Sequence, residues 1–215
     1  MHITKTAGGS LKEALRESSE SVTFHYPNEP GYKKYFGYPE ETKVIFGHYV
    51  FGAHNMADMP PNYACFVREP IARTFSHYHH LKNNDTGPIG EKIRTFEDIE
   101  TTMIQMKHWE FDNFLCRVIS GVGGSVKFGD AGYNTYDLAR RNLKHHFRFI
   151  GIFEQLEQSI TRLNTLLPTL GMDLPTVNLG FYEREIPAKT RELLVRLNRY
   201  DELLYHDAIA FSAKA

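Results

Sequence analysis

Three groups of residues have types and spacings that could do chemistry. The first is Lys5-Thr6-Ala7-Gly8-Gly9-Ser10, which follows the apolar scrap MHIT and precedes the helical pattern SLKEALRESS. The first amides of a helix lack partners inside it, and the helix dipole favours negative charge there. Gly8 and Gly9 let the backbone turn tightly and pass close to an anion, Thr6 and Ser10 add hydroxyls, and Lys5 adds a positive charge. This set is suited to holding a phosphate, with Ser10 placed to cap the helix. The second group is Arg68 and Ser76 in YACFVREPIARTFSHYHHL. Arg68 ends an apolar run and Ser76 lies about two turns into a helix opened by Pro70, so a guanidinium and a hydroxyl can converge on one phosphate. The third is a set of proton acceptors and acceptor-binding candidates. His48 follows an apolar strand and Gly47, where the chain leaves the carboxyl edge of a sheet beside the anion loop, and a neutral imidazole accepts a proton near neutral pH. His54 lies in the same segment as a reserve base or substrate contact. Asn113 and Arg117 stand four apart on one predicted helix, with Arg117 suited to an anionic or hydroxylated acceptor.

The loop does not match the common nucleotide-binding pattern G-x-x-x-x-G-K-[ST], because its lysine precedes the glycines and none follows them. HITKTAGGSL instead resembles the H-I-P-K-T-G-G-T-S-L signature of carbohydrate sulfotransferases, the group that includes heparan sulfate 2-O- and 6-O-sulfotransferases, with Thr4 where the family has proline. YACFVREPIARTFSHY resembles that family's F-x-R-[DE]-P-x-x-R-x-x-S-x-Y segment through Arg68, Glu69, Pro70, Arg73, Ser76 and Tyr78. Weaker likenesses follow in the expected order: VIFGHYVFGAH, FDNFLCRVISG, FIGIFEQLEQSITRL and YDELLYHDA. The resemblance implies a P-loop-kinase-like sulfotransferase fold and 3′-phosphoadenosine 5′-phosphosulfate (PAPS) as cosubstrate, with PAP as product and no metal. It places the 5′-phosphosulfate on residues 5 to 10 and the 3′-phosphate on Arg68 and Ser76. Lys5 then steadies the bridging oxygen, and His48 is the base, as in members similar to the 2-O-sulfotransferases, where other branches use glutamate. Lys189 and Thr190 fall in a region where members carry a loop that closes on the cofactor, and Phe181 and Tyr182 flank the adenine in this reading. The implied partner is a small-molecule or glycan acceptor.

These residues need strands to carry them and helices to cover those strands. MHIT reads as the end of a strand, and SVTFHY (21 to 26), KVIFG (43 to 47), YACFVRE (63 to 69) and FRFIGIF (147 to 153) read as four more, apolar enough to be covered on both faces. Helical spacing runs from Pro70 to about Leu81, through TFEDIETTMIQMKHW, FDNFLCRVISG and YDLARRNLKHHF, and through three terminal segments, EQLEQSITRLNTLLPTLG, PAKTRELLVRLNRY and DELLYHDAIAF. Pro27 to Glu40 and Asn83 to Gly90 read as loops, and the acceptor is chosen in loops of this kind. Strands alternating with helices predict an α/β fold, a central and mostly parallel β-sheet flanked by helices.

At 215 residues the chain fits one domain, and 41% hydrophobic with 24% charged residues marks a globular protein. A formal charge of -1 supplies no drive toward nucleic acid or an anionic membrane. Cys65 and Cys116 lie in apolar runs and read as core residues in a reducing compartment. No window matches a membrane span or a signal peptide, which points to a cytoplasmic protein of bacterial type, or to a Golgi-type chain whose start is trimmed. Composition does not speak to oligomeric state. Three rival readings share parts of this pattern. A small-molecule kinase shares the strand, loop and helix but needs a magnesium site. A metal hydrolase is prompted by His77, His79 and His80, which lack a ligand pattern. A glycan-binding homologue without turnover could use Arg140, Arg141, Lys144 and Arg148, although such a run is more often a solvated face.

Overall fold

The computed structural model describes residues 1–18, 21–26, 41–57, 59–168 and 185–213. Four strands fall where apolar runs predict them: β1 (Val22–His25), β2 (Val44–Gly47), β3 (Tyr63–Val67) and β4 (Phe147–Ile152). They form two parallel pairs, β1 with β2 and β3 with β4, the second carrying a register shift at Tyr63/Ala64. The single central sheet expected from sequence is therefore not what the described strands form. MHIT takes no strand assignment, yet it lies between the pairs: His2 donates its backbone N–H to Gly47 O (2.8 Å) and the Met1 nitrogen donates to Ala64 O (2.9 Å).

Side chains leave these segments on alternate faces, as a pleat requires. Met1, Ile3, Tyr63, Cys65 and Val67 enter one apolar cluster. It is completed by α6 (Phe114–Ser120), α7 (Tyr133–His146) and α10 (Arg199–Ser212). Phe46, Phe66 and Phe149 enter a second cluster with α1 (Gly8–Glu17) and α8 (Leu156–Leu166) on the other side. The remaining helices are α2 (His54–Ala57), α3 (Pro70–Asn84), α4 (Pro88–Arg94), α5 (Ile99–Met106) and α9 (Ala188–Leu197). α3, α4, α5 and α9 supply a third cluster around Ile71, Ile93, Met103 and Leu194. Asn83 to Gly90, read as a loop, is mostly the end of α3 and the start of α4. Cys65 and Cys116 are free and buried, and burial pushes the Cys65 thiol up to about 12. No helix among the described residues is long and apolar enough to cross a membrane.

Candidate active site

The segment 1–3, β2 and β3 all end toward one edge, and the loop after Ile3 runs along it. Two of its non-glycine residues, Lys5 (φ 69°) and Ala7 (φ 65°), adopt the left-handed region, a strained conformation that persists only where neighbours hold it. Thr6 is buried and donates its hydroxyl to Ile3 O (2.7 Å), so it braces the turn. α1 begins at Gly8 with Ala7 at the N-cap position and no side-chain cap. Ser10 is thus a buried first-turn residue, not the cap expected from sequence, because the tight turn ends three residues sooner, at Ala7. The first intrahelical bond runs from Leu11 N to Ala7 O (3.0 Å), which leaves the amides of Gly8, Gly9 and Ser10 as the orphan donors of the helix start. Gly9 is exposed, and a methyl added there meets nothing within 4 Å.

Cations crowd this turn. Arg68 donates to Lys5 O (3.3 Å) and lies over the Phe153 ring at 4.5 Å. Buried Arg73 donates to Thr4 Oγ1 (2.8 Å), Thr4 O (3.4 Å) and Glu110 O (2.8 Å), with its guanidinium 3.9 Å from the Phe114 centroid. Burial, then the charges of Arg68 and Arg73, lower the Lys5 ammonium below the usual lysine range. Burial, then Lys5, lowers His80. Ser76 is buried one turn beyond Arg73 and one turn before His80, which sets it on the α3 face turned to the loop.

His48 follows β2 at the same edge. Its Nδ1 lies 3.0 Å from the His2 carbonyl oxygen, which only accepts; Nδ1 therefore carries the proton and Nε2 the lone pair. Part of the ring meets solvent, but the rings of His2 (4.3 Å) and Tyr26 (4.9 Å) crowd it, and desolvation lowers its pKa although the His2 bond and Glu110 oppose the shift. His48 is neutral at pH 7. The ring of His2 is stacked between Phe46 (5.4 Å) and His48 and bonds the Tyr26 hydroxyl through Nδ1 (2.5 Å). Its Nε2 sits against the loop, 1.6 Å from where a Gly8 Cβ would stand. The sequence motifs assign no role at the anion loop to His2, Arg73 or His80. The alternation of Met1, His2 and Ile3 was the available signal, since it turns His2 away from the first cluster and toward α1.

The other candidates stand elsewhere. His54 bonds Tyr63 OH through Nδ1 (2.7 Å) and feels His146. Tyr63 opens β3 and Arg68 follows its end, so His54 is at the opposite edge, roughly 15 Å away at ~3.3 Å per residue, and cannot act as a reserve base. Arg117 does not face a cleft. It is fully buried and its donors go to Asp112 O (2.7 Å), Gly123 O (3.2 Å), Val126 O (2.6 Å), Lys127 O (2.8 Å) and the Asp112 carboxylate. Asn113 is likewise buried; its amide donates to Asp112 and to Ala131 O, and its oxygen accepts from the amides of Tyr200 and Asp201. Asp201 in turn accepts from the amides of Leu115 and Cys116, so α6 and α10 cap one another. Lys189 is exposed at the head of α9, where its charge is felt by Asp98, while Lys5 feels the charges of Arg68 and Arg73. Phe181, Tyr182 and the 27 to 40 loop lie outside the described residues. His77 bonds Glu110 (2.6 Å) while His79 packs on Phe75, and no group of three potential metal ligands occurs among the described residues.

Against known proteins, the model described as the sulfotransferase family matches residues 1–206. No curated protein matches the chain.

Proposed function

Because the chain belongs to the sulfotransferase family, we propose that it carries sulfonate from PAPS to a hydroxyl, most simply on a carbohydrate, with His48 as the base. The observation that carries this reading is the cluster of the cations Lys5, Arg68 and Arg73 around a helix start opened by Gly9. Like charges brought together at a set of orphan amides favour a polyanion, and a nucleotide with phosphates at both ends is one. The residues fit that donor: the amides of Gly8 to Ser10 for the 5′-phosphosulfate, Arg68 with Ser76 for the 3′-phosphate.

In-line transfer makes one bond from the acceptor oxygen to sulfur as the bond from sulfur to the bridging oxygen breaks, and the electron pair stays on the departing phosphate. In this reading Lys5 supplies the cation that stabilises that developing charge. His48 Nε2 takes the acceptor proton, and the His2 carbonyl fixes the tautomer that exposes it. In this reading residues 1–215 are one domain of P-loop-kinase-like type, with segment 1–3 joining the two strand pairs into one sheet. A cytoplasmic setting belongs to the proposal too, supported by the two free thiols.

Calorimetric titration with PAP and with ATP tests the reading. PAP should bind in the micromolar range and ATP at least tenfold more weakly; equal affinities, or no binding of PAP, would remove its basis. Release of PAP from PAPS in the presence of candidate sugars then identifies the acceptor.

A further inference from the structure

We propose that Phe153 is a positioning residue for the nucleotide: its ring holds the Arg68 guanidinium flat and so sets how strongly the protein prefers a 3′-phosphorylated nucleotide, a role that rests on Arg68 being the 3′-phosphate ligand. β3 and β4 run parallel, with Val67 opposite Ile152 as their last pair. Arg68 and Phe153 are the next residue of each, and the guanidinium carbon lies 4.5 Å from the ring centroid. An aromatic face attracts a guanidinium through the ring quadrupole, and stacking engages the flat surface of the cation, not its N–H edge. A phosphate is gripped by that edge. Phe153 can therefore fix the plane of Arg68 without competing with a ligand for its donors.

The ring is itself held in place. Phe153 opens a short 3-10 turn, Phe153–Gln155, directly after β4. The next residue, Glu154, commits both carboxylate oxygens to the frame: Oε1 accepts from the backbone N–H of Glu69 (3.0 Å) and Oε2 from the Tyr205 hydroxyl (2.7 Å). The first bond keeps the two chains side by side past the end of the ladder, where Glu69 turns away to cap α3, and the second ties the turn to α10. Arg68 also donates to Lys5 O (3.3 Å), so its guanidinium joins the end of β4 to the anion loop. Arg73 is the contrast: it lies over the Phe114 ring, but it is buried and its donors go to Thr4 and Glu110. Arg68 is only half-buried, so a ligand can reach it. An arginine ordered in advance loses less side-chain freedom on binding, which is worth roughly 3–10-fold in affinity.

Titrations of the whole protein with PAP and with adenosine 5′-phosphate (AMP), which lacks the 3′-phosphate, read the preference as the ratio of the two Kd values. Phe153→Leu and Phe153→Met keep apolar bulk but remove the aromatic face. Each should shrink the ratio roughly 3–10-fold by weakening PAP, with AMP affinity changed by less than about twofold. Phe153→Tyr keeps the face and should keep the ratio. In an Arg68→Ala background, where the guanidinium is gone, Phe153→Leu should shrink the ratio no further. A ratio that survives the Leu and Met changes, a loss shared equally by PAP and AMP, a Tyr variant as poor as Leu, or an undiminished effect in the Arg68→Ala background each overturns the role of Phe153. A wild-type protein that binds PAP no better than AMP would instead remove the 3′-phosphate from Arg68, and Phe153's role with it, so the two failures are told apart by the wild-type ratio.

Discussion

Gly8 and Gly9 are neighbours in one turn, yet the structure gives them opposite sensitivities. A Cβ on Gly8 would stand 1.6 Å from His2 Nε2 and 2.0 Å from Cε1. The ring cannot step aside cheaply, since Phe46 and His48 hold its faces and Tyr26 OH holds its Nδ1 at 2.5 Å. Gly8→Ala should therefore cost about 1–3 kcal/mol as an overpacked site, a fall in melting temperature of roughly 2–12 °C for a chain of this size. A methyl on Gly9 meets nothing within 4 Å, and alanine is the better helix former by ~1 kcal/mol, so Gly9→Ala should leave the melting temperature unchanged or slightly raised. That methyl occupies the open side of the turn, where the proposed anion approaches, and PAP affinity should drop at least tenfold. Thermal melts and PAP titrations of the two single variants, with His2→Ala/Gly8→Ala as the relief pair, decide the matter. A relief pair no more stable than Gly8→Ala alone would refute the His2 contact. A Gly9→Ala protein that binds PAP normally would refute the placement of the anion.

Three more expectations follow from the same geometry. Turnover should depend on unprotonated His48; because burial lowers its pKa, activity should hold at neutral pH and fall only on acidification below its ordinary value of ~6.5, and a pH–rate profile with its midpoint above that value would rule His48 out. Lys5→Met should weaken PAP binding by ~10–100-fold, the loss of one charged hydrogen bond of about 1.5–3 kcal/mol, measured by calorimetry at fixed salt. Arg117→Met strands the Asp112 carboxylate, which is 2% exposed, and should cost about 3–5 kcal/mol of stability; melts will show the loss, and acceptor KM measured well below the melting point should not change.

The loop from Lys5 to Ser10, the strands and the α3 start were legible because each depends on local signals: glycines before a helical period, apolar runs, a proline at N1. Glu69 illustrates how far such signals reach. It precedes Pro70 and its carboxylate accepts from Ile71 N (3.0 Å) and Ala72 N (2.6 Å), a cap any helix start could use. What local signals could not give was direction. Asn113 and Arg117 share a helix spacing that predicts a common face, but nothing in the spacing says that this face turns inward. That face is set by the left-handed Asn113 and by the non-helical stretch after the helix, which folds back to bring the carbonyls of 123, 126 and 127 onto Arg117 beside the Asp112 carboxylate, and a helical period encodes neither. His54 failed for a related reason: six residues of chain after His48 are enough to turn back along the sheet and reach its far edge.

These misplaced residues still bear on the loop, through a route of bonds that can be followed. The reciprocal caps tie α10 to α6 through Asn113 and Asp201, and Glu110 lies three residues before Asn113. Burial raises the Glu110 carboxyl, but the His77 bond and the charges of His77 and Arg73 outweigh that and bring it to about 2, so it stays ionised. Its backbone oxygen receives Arg73, which in turn grips Thr4 by both side-chain and backbone oxygens at the start of the anion loop. A segment can therefore resemble part of a functional signature while touching no ligand, because it sets where the loop sits. Asn113→Ala should accordingly lower stability first and PAP affinity only as the loop loses its anchor, the order opposite to that of Gly9→Ala.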